Sequence, residues 1–187
     1  MTILILGLAL WVLAHLFKRM SPGGRAGLDA RFGDGPAKGI VAAMIALSLV
    51  LMIWGYRSGT WSQVYVPPVW GLHLNNLLMF AAIALFGFGA SKGRARSWLR
   101  HPMLTGVLVW AVAHLLVNGD SLSIVLFGGL GVWAVAEMLV INAKAGPWVR
   151  PEPGPAKGDI RLILITLVLY GIISAIHAWL GYWPFPG

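Results

Sequence analysis

Residues 100–120 read RHPMLTGVLVWAVAHLLVNGD, and the fold follows from how that stretch must be accommodated. An apolar run with one ionisable side chain, His114, lies between a basic Arg-His-Pro step and a polar Asn-Gly-Asp turn. Pro102 suits the first turn of a helix, where its missing N–H is harmless. An ionisable residue inside a membrane helix is costly, so it usually faces a bundle interior and marks a functional site.

The rest of the chain has the same character. Of its 187 residues 58% are hydrophobic and only 11% charged, against roughly a quarter charged in soluble domains. Mean hydropathy is +0.79, so the composition is that of an integral membrane protein. Six apolar segments, about 2–20, 39–56, 69–90, 102–117, 122–142 and 161–182, approach the length needed to cross a hydrocarbon core of about 30 Å. The fourth is short. Open sheets cannot span lipid and no period-two alternation is present, so the expected fold is all-α. It is a six-transmembrane-helix bundle forming one domain over 1–187. The tight link at 118–121 makes helices four and five an antiparallel hairpin.

The net charge of +8 does not mark a nucleic-acid footprint. All of the 14 Lys and Arg residues except Arg57 fall in three short loops, 18–38, 91–101 and 143–161. In that position they set topology: the loops face the cytoplasm and both termini the outer, periplasmic side of a bacterial inner membrane. Trp61, Trp70, Trp179 and Trp183 fall near the outer boundary, as an aromatic belt would. The first apolar run lacks a positive leader and reads as a retained helix, not a cleaved signal. No cysteine is present, which excludes disulfides, thiolate haem ligation and thiol nucleophiles. The Gly- and Pro-rich 18–38 region reads as a loop.

A weak echo recurs: WVLAHL at 11–16, WAVAHL at 110–115 and WAVAEM at 133–138. Each puts an ionisable residue four positions after a Trp, on one helical face, and chance in an Ala/Val/Leu-rich chain explains it equally well. His101 reads as a solvated interface residue. His15, His73, His114 and His177 lie within helices, either as interhelical hydrogen-bond formers or as ligands. A rise of 1.5 Å per residue puts His15 about 20 Å and Glu137 about 22 Å from the outer face, and His114 only about 12 Å. His73 and His177 are nearer that face still. Imidazoles in a dry apolar pocket suit a redox metal or haem. Glu137 reads either as a proton relay or as the partner of a nearby Arg. Asn75, Asn76, Asn118 and Asp120 either line the outer side of a cavity or make turns and interhelical bonds.

The motif R-H-P, Gly106, Trp110, Ala113-His114 and Asn-Gly-Asp resembles the NnrU family, which also contains the plant 15-cis-zeta-carotene isomerase. Ala14-His15, RFGDGPAKG and IWGYRSG support the likeness, which covers nearly the whole chain. It implies a six-helix membrane protein. Its isomerase branch implies b-type haem held by two histidines, corresponding to His15 and His114, with Trp11, Trp110, His73 and His177 as further cofactor-contacting candidates. That branch places an alternative cysteine ligand where this chain has Ala111. The bacterial branch is associated with nitrite and nitric oxide reduction. The family reading is thus isomerisation of a lipophilic polyene or support of nitrogen-oxide respiration; the alternative is a haem-free assembly factor that works with other membrane proteins. R-H-P-x-x-x-G also opens the cofactor region of membrane methyltransferases that use S-adenosylmethionine. Their following acidic pair is missing from NAKAGPWVRPEPGPAKG, and this is the weakest of the readings.

Overall fold

The computed structural model describes residues 1–185, and these are helical with no strand among them. The helices are α1 (Thr2–Met20), α2 (Pro22–Phe32), α3 (Asp34–Ser58), α4 (Gly71–Phe88), α5 (Pro102–Leu115), α6 (Ser121–Lys144) and α7 (Ala156–Trp179). Five of them, α1, α3, α4, α6 and α7, are long and apolar enough to cross a membrane. The sixth expected span, α5, has 14 residues and a length of about 21 Å, short of the spanning length. It ends where the chain tightens into the Asn118–Asp120 turn.

The one helix absent from the sequence reading is α2, which occupies the region read as a loop. Pro22 starts it, the Arg25–Asp29 ion pair (2.7 Å, one turn apart) ties its face, and Gly33 at φ +82° stops it. Its three glycines masked this local support. The next helix then begins at Asp34, five residues before the expected start.

Packing is set by small residues at helix crossings. A Cβ on Gly55 would stand 2.3 Å from the Leu4 amide nitrogen, and one on Gly7 2.7 Å from that of Met52. The α1 and α3 backbones therefore lie in direct contact, as lipid-embedded helices do where hydrophobic driving force is lacking. Gly106 of α5 meets Phe86 and Ala82 of α4 in the same way.

These crossings also fix direction. The start of α1 meets the end of α3, the end of α4 meets the start of α7 through Gly87 and Leu162, and Asn76 near the start of α4 donates to the Pro184 carbonyl. One end of the bundle thus gathers both ends of the described chain, the 59–70 segment and the Asn-Gly-Asp turn. The basic loops lie at the opposite end. The core cluster of Leu4, Leu8, Met52, Leu122, Leu130, Trp133 and Ala134 joins α1, α3 and α6, with Trp11 and Trp110 packed against it.

Candidate cofactor site

Helix α6 is the axis of the site, because both Trp-x-x-x-His units pack on it. On one side, the His15 ring lies 4.1 Å from Trp11 and 4.8 Å from Trp133, edge to face with the latter; Trp11 and Trp133 are 5.3 Å apart. On the other, His114 stacks on Phe127 at 4.5 Å, and Trp110 meets the same Phe127 at 5.0 Å. Phe127 and Trp133 are six residues apart on α6, so the two imidazoles are offset by about 9 Å along the bundle. Within the echo, then, the α6 copy packs against the α1 copy at Trp133, Trp11 and His15.

The histidines share a hydrogen-bond habit. His15 Nδ1–H donates to the Trp11 carbonyl (2.9 Å), His114 Nδ1–H to Trp110 (2.9 Å) and His177 Nδ1–H to Ile173 (2.8 Å). A carbonyl only accepts, so Nδ1 carries a proton, and in the neutral ring the lone pair is on Nε2. No partner for these Nε2 atoms is found among the described residues. The interhelical role considered for the intramembrane histidines is therefore absent from their bonding: each bonds its own helix. His73 is exposed at the start of α4. His101, read as a solvated interface residue, makes an exposed hydrogen bond from Nε2 to Asn142 Oδ1 (2.8 Å) that ties the start of α5 to the end of α6.

One turn beyond His15 and Trp133, Arg19 Nε donates to Glu137 Oε1 at 2.9 Å. Of the two readings of Glu137, the ion pair is present. Its side chain is 8% exposed and that of Arg19 37%. Lys144 donates to the Arg19 carbonyl. Three buried polar atoms in this neighbourhood have no partner: Trp11 Nε1, Trp133 Nε1 and Glu137 Oε2.

The Asn-Gly-Asp turn is structural. Asp120 Oδ1 accepts from the Ser123 amide and Oδ2 from its hydroxyl (2.6 Å), capping α6. The Val64 and Tyr65 amides donate to the Gly119 carbonyl, and the Tyr65 hydroxyl to the carbonyls of Leu115 and Asn118. Burial, with Asp120 nearby as the second cause, pushes the Tyr65 phenol up, so it remains a donor. A Cβ at Gly119 would fall 1.9 Å from the Tyr65 carbonyl oxygen, which is why glycine stands there. Asn75 and Asn76 bond one another and the C-terminal segment.

Between α5 and α6 runs an apolar groove of about 520 Å³. Its floor is made of Ala111, Gly128, Gly131 and Ala136, and Phe127 separates it from His114. At this point α6 is wound as a π-helical turn, Ile124–Gly128. Such turns concentrate at functional sites because they re-aim a side chain without ending the helix. Here the side chain is Phe127.

A family model described as NnrU protein matches residues 3–184, nearly the whole chain. The chain belongs to the NnrU family. No match was found among curated proteins or among solved structures. The NnrU membership and the apolar helices together make this a multi-pass membrane protein.

In this NnrU-family chain His15 and His114 lie on opposite sides of α6 with an offset of about 9 Å, so each can offer one ligand to a haem, but as folded the two do not stand on the two faces of one iron. His15 and His114 each present an unprotonated Nε2 held in orientation by a backbone acceptor on Nδ1, the arrangement that metal-binding imidazoles use. Both rings are half-buried against aromatic side chains. No group of three or more potential metal ligands exists among the described residues. Trp133, Phe127 and Arg19 are the parts of this site that were not singled out in the sequence. The only signals for them were the Trp133 copy of the echo and the position of Arg19, four residues after His15.

Proposed function

We propose that this NnrU-family protein binds a b-type haem through its intramembrane histidines, with His15 or His114 as the ligand, within a bacterial inner membrane and acts there on a lipophilic polyene. The observation that carries this reading is the shared state of the two imidazoles, each locked at Nδ1 and open at Nε2 in an aromatic, water-poor setting. Bound there, a haem would supply a redox-active, Lewis-acidic iron to the bundle interior. The chain's own residues do the rest. The Trp11 and Trp110 carbonyls hold the ring orientation, Trp133 and Phe127 exclude water, and the α5–α6 groove admits a hydrocarbon chain from the bilayer to the back of Phe127. His177 and the exposed His73 are the substitutes. The haem-free assembly reading drew on histidines as interhelical hydrogen bonds, and His15, His114 and His177 bond their own helices instead.

The absorption spectrum of detergent-purified protein tests this. A Soret band that shifts on reduction and disappears in His15→Ala or in His114→Ala is the expected result. A protein that stays colourless when expressed with added haem overturns the reading. Loss of the band only in His73→Ala or His177→Ala moves the ligands and keeps the haem.

A further inference from the structure

We infer that the segment from Lys92 to Trp98, between α4 and α5 at the basic end of the bundle, is a binding surface for the headgroups of anionic phospholipid. It shares no residue with the cofactor site. Its sequence, KGRARSW, alternates: Lys92, Arg94, Arg96 and Trp98 are exposed, while Gly93, Ala95 and Ser97 are buried. The small face is pinned to the start of α7 and the loop before it. The Gly154 amide donates to the Gly93 carbonyl (3.1 Å), and the Ala95 amide donates to Asp159 Oδ1 (3.0 Å). A Cβ at Gly93 would collide with Asp159, and one at Gly158 with the Gly93 backbone, so the two segments lie in direct contact. The Ser97 hydroxyl donates to the Arg94 carbonyl (2.9 Å) and closes the turn. Three cations and one indole are thereby left pointing outward from a held backbone.

The charges on this surface are not answered within the chain. The ion pairs among the described residues belong to Arg19, Arg25 and Lys38, and none reaches Lys92, Arg94 or Arg96. Of the two carboxylates on the facing segment, Asp159 is turned inward to the Ala95 amide, and the exposed Glu152 pairs with none of the three. Two guanidinium groups and an ammonium match phosphate in charge, and the guanidinium fork matches it in shape. The position favours lipid over other anions. The segment joins the ends of two membrane helices, and the Trp98 ring meets Phe88, the last residue of α4, edge to face at 5.7 Å. An exposed indole against the end of a spanning helix stands at headgroup level, as interfacial tryptophans do. Cations beside it lie where anionic lipid attracts them most strongly. An acidic protein segment would satisfy the cations and leave the indole unused.

The experiment titrates the detergent-solubilised full chain with dioctanoyl phosphatidylglycerol or dioctanoyl phosphatidylcholine and reads lipid-bound species by native mass spectrometry. Wild type should favour the anionic lipid by about tenfold or more, since each cation at a membrane surface contributes about a factor of five. The triple variant K92Q/R94Q/R96Q should bring the ratio close to one. Arg94→Gln and Arg96→Gln taken singly, which keep enough charge for normal insertion, should each lower it about fivefold. R94K/R96K should keep part of the preference. K18Q/R31Q/K38Q, which removes the same charge from exposed side chains elsewhere at the basic end, should leave it unchanged. Equal binding of the two lipids by wild type overturns the inference, as does a preference that survives in the triple and single variants. An equal loss in K18Q/R31Q/K38Q also overturns it, because net charge alone would then be at work. Tighter binding of poly-glutamate than of phosphatidylglycerol, lost in K92Q/R94Q/R96Q, overturns it too and assigns the surface to an acidic protein segment.

Discussion

Among single residues, the Arg19–Glu137 pair shows how unequal burial makes two partners unequal. Removing the arginine strands a carboxylate whose side chain is 8% exposed; removing the glutamate strands a guanidinium that is 37% exposed and reaches solvent. An uncompensated buried charge is the heavier penalty. Arg19→Ala should therefore lower the thermal midpoint in detergent more than Glu137→Ala, with an excess equivalent to about 1–3 kcal/mol. Equal losses would mean that the pair contributes through packing alone. The costly residues of this chain, four imidazoles and one carboxylate in apolar runs, stand out in the sequence. Their bonding does not. Whether a helical histidine donates to its own backbone or to a neighbour depends on the rotamer that the packing permits, and only the fold showed own-helix bonds at His15, His114 and His177. Tyr65 gave no sequence signal at all, because its acceptors, Leu115 and Asn118, are some fifty residues away.

At the scale of the element, α6 carries the most information. Its π-helical turn holds one residue more than a regular helix would, and that residue sets the angle between Phe127, facing His114, and Trp133, facing His15. Deleting Val125 should let the segment relax to a regular helix. The wide turn absorbs that residue, so the helix beyond keeps its register to the Asp120 cap while Phe127 is re-aimed away from His114. The expected outcome is loss of the Soret band and a lower thermal midpoint; a variant that keeps both would show that the turn is incidental. The π turn was hidden because Ile-Val-Leu-Phe-Gly is an ordinary apolar run, and its widening answers to neighbours on α1 and α5. The helix α2 was hidden for the opposite reason. Its glycines argue for a loop, while its Arg25–Asp29 pair and Pro22 start, modest terms each, outweigh them. The apolar helices themselves were readable to within a few residues at most ends, since length and hydropathy are local properties.

For the whole molecule, the bundle brings both ends of the described chain to one end and the basic loops to the other. With the positive-inside rule, the Thr60 end should be outside and the Ala145 end inside. The absence of cysteine makes this directly measurable. In intact cells a membrane-impermeant maleimide should label Thr60→Cys at once and Ala145→Cys only after permeabilisation; the reverse pattern would invert the topology. The α5–α6 groove also exists only at this scale, since its floor combines Ala111 of one helix with Gly128, Gly131 and Ala136 of another. By itself the sequence determined the membrane habitat, the all-α class, the positions of most helices, the costly side chains and the NnrU likeness. These are properties of composition and of spacing within one turn. The tertiary structure alone decided that α6 stands between the two Trp-x-x-x-His units, that Arg19 meets Glu137, and that α5 falls short of a full span. Those outcomes depend on which small residues let which backbones touch, and contacts between residues a hundred positions apart leave no local trace.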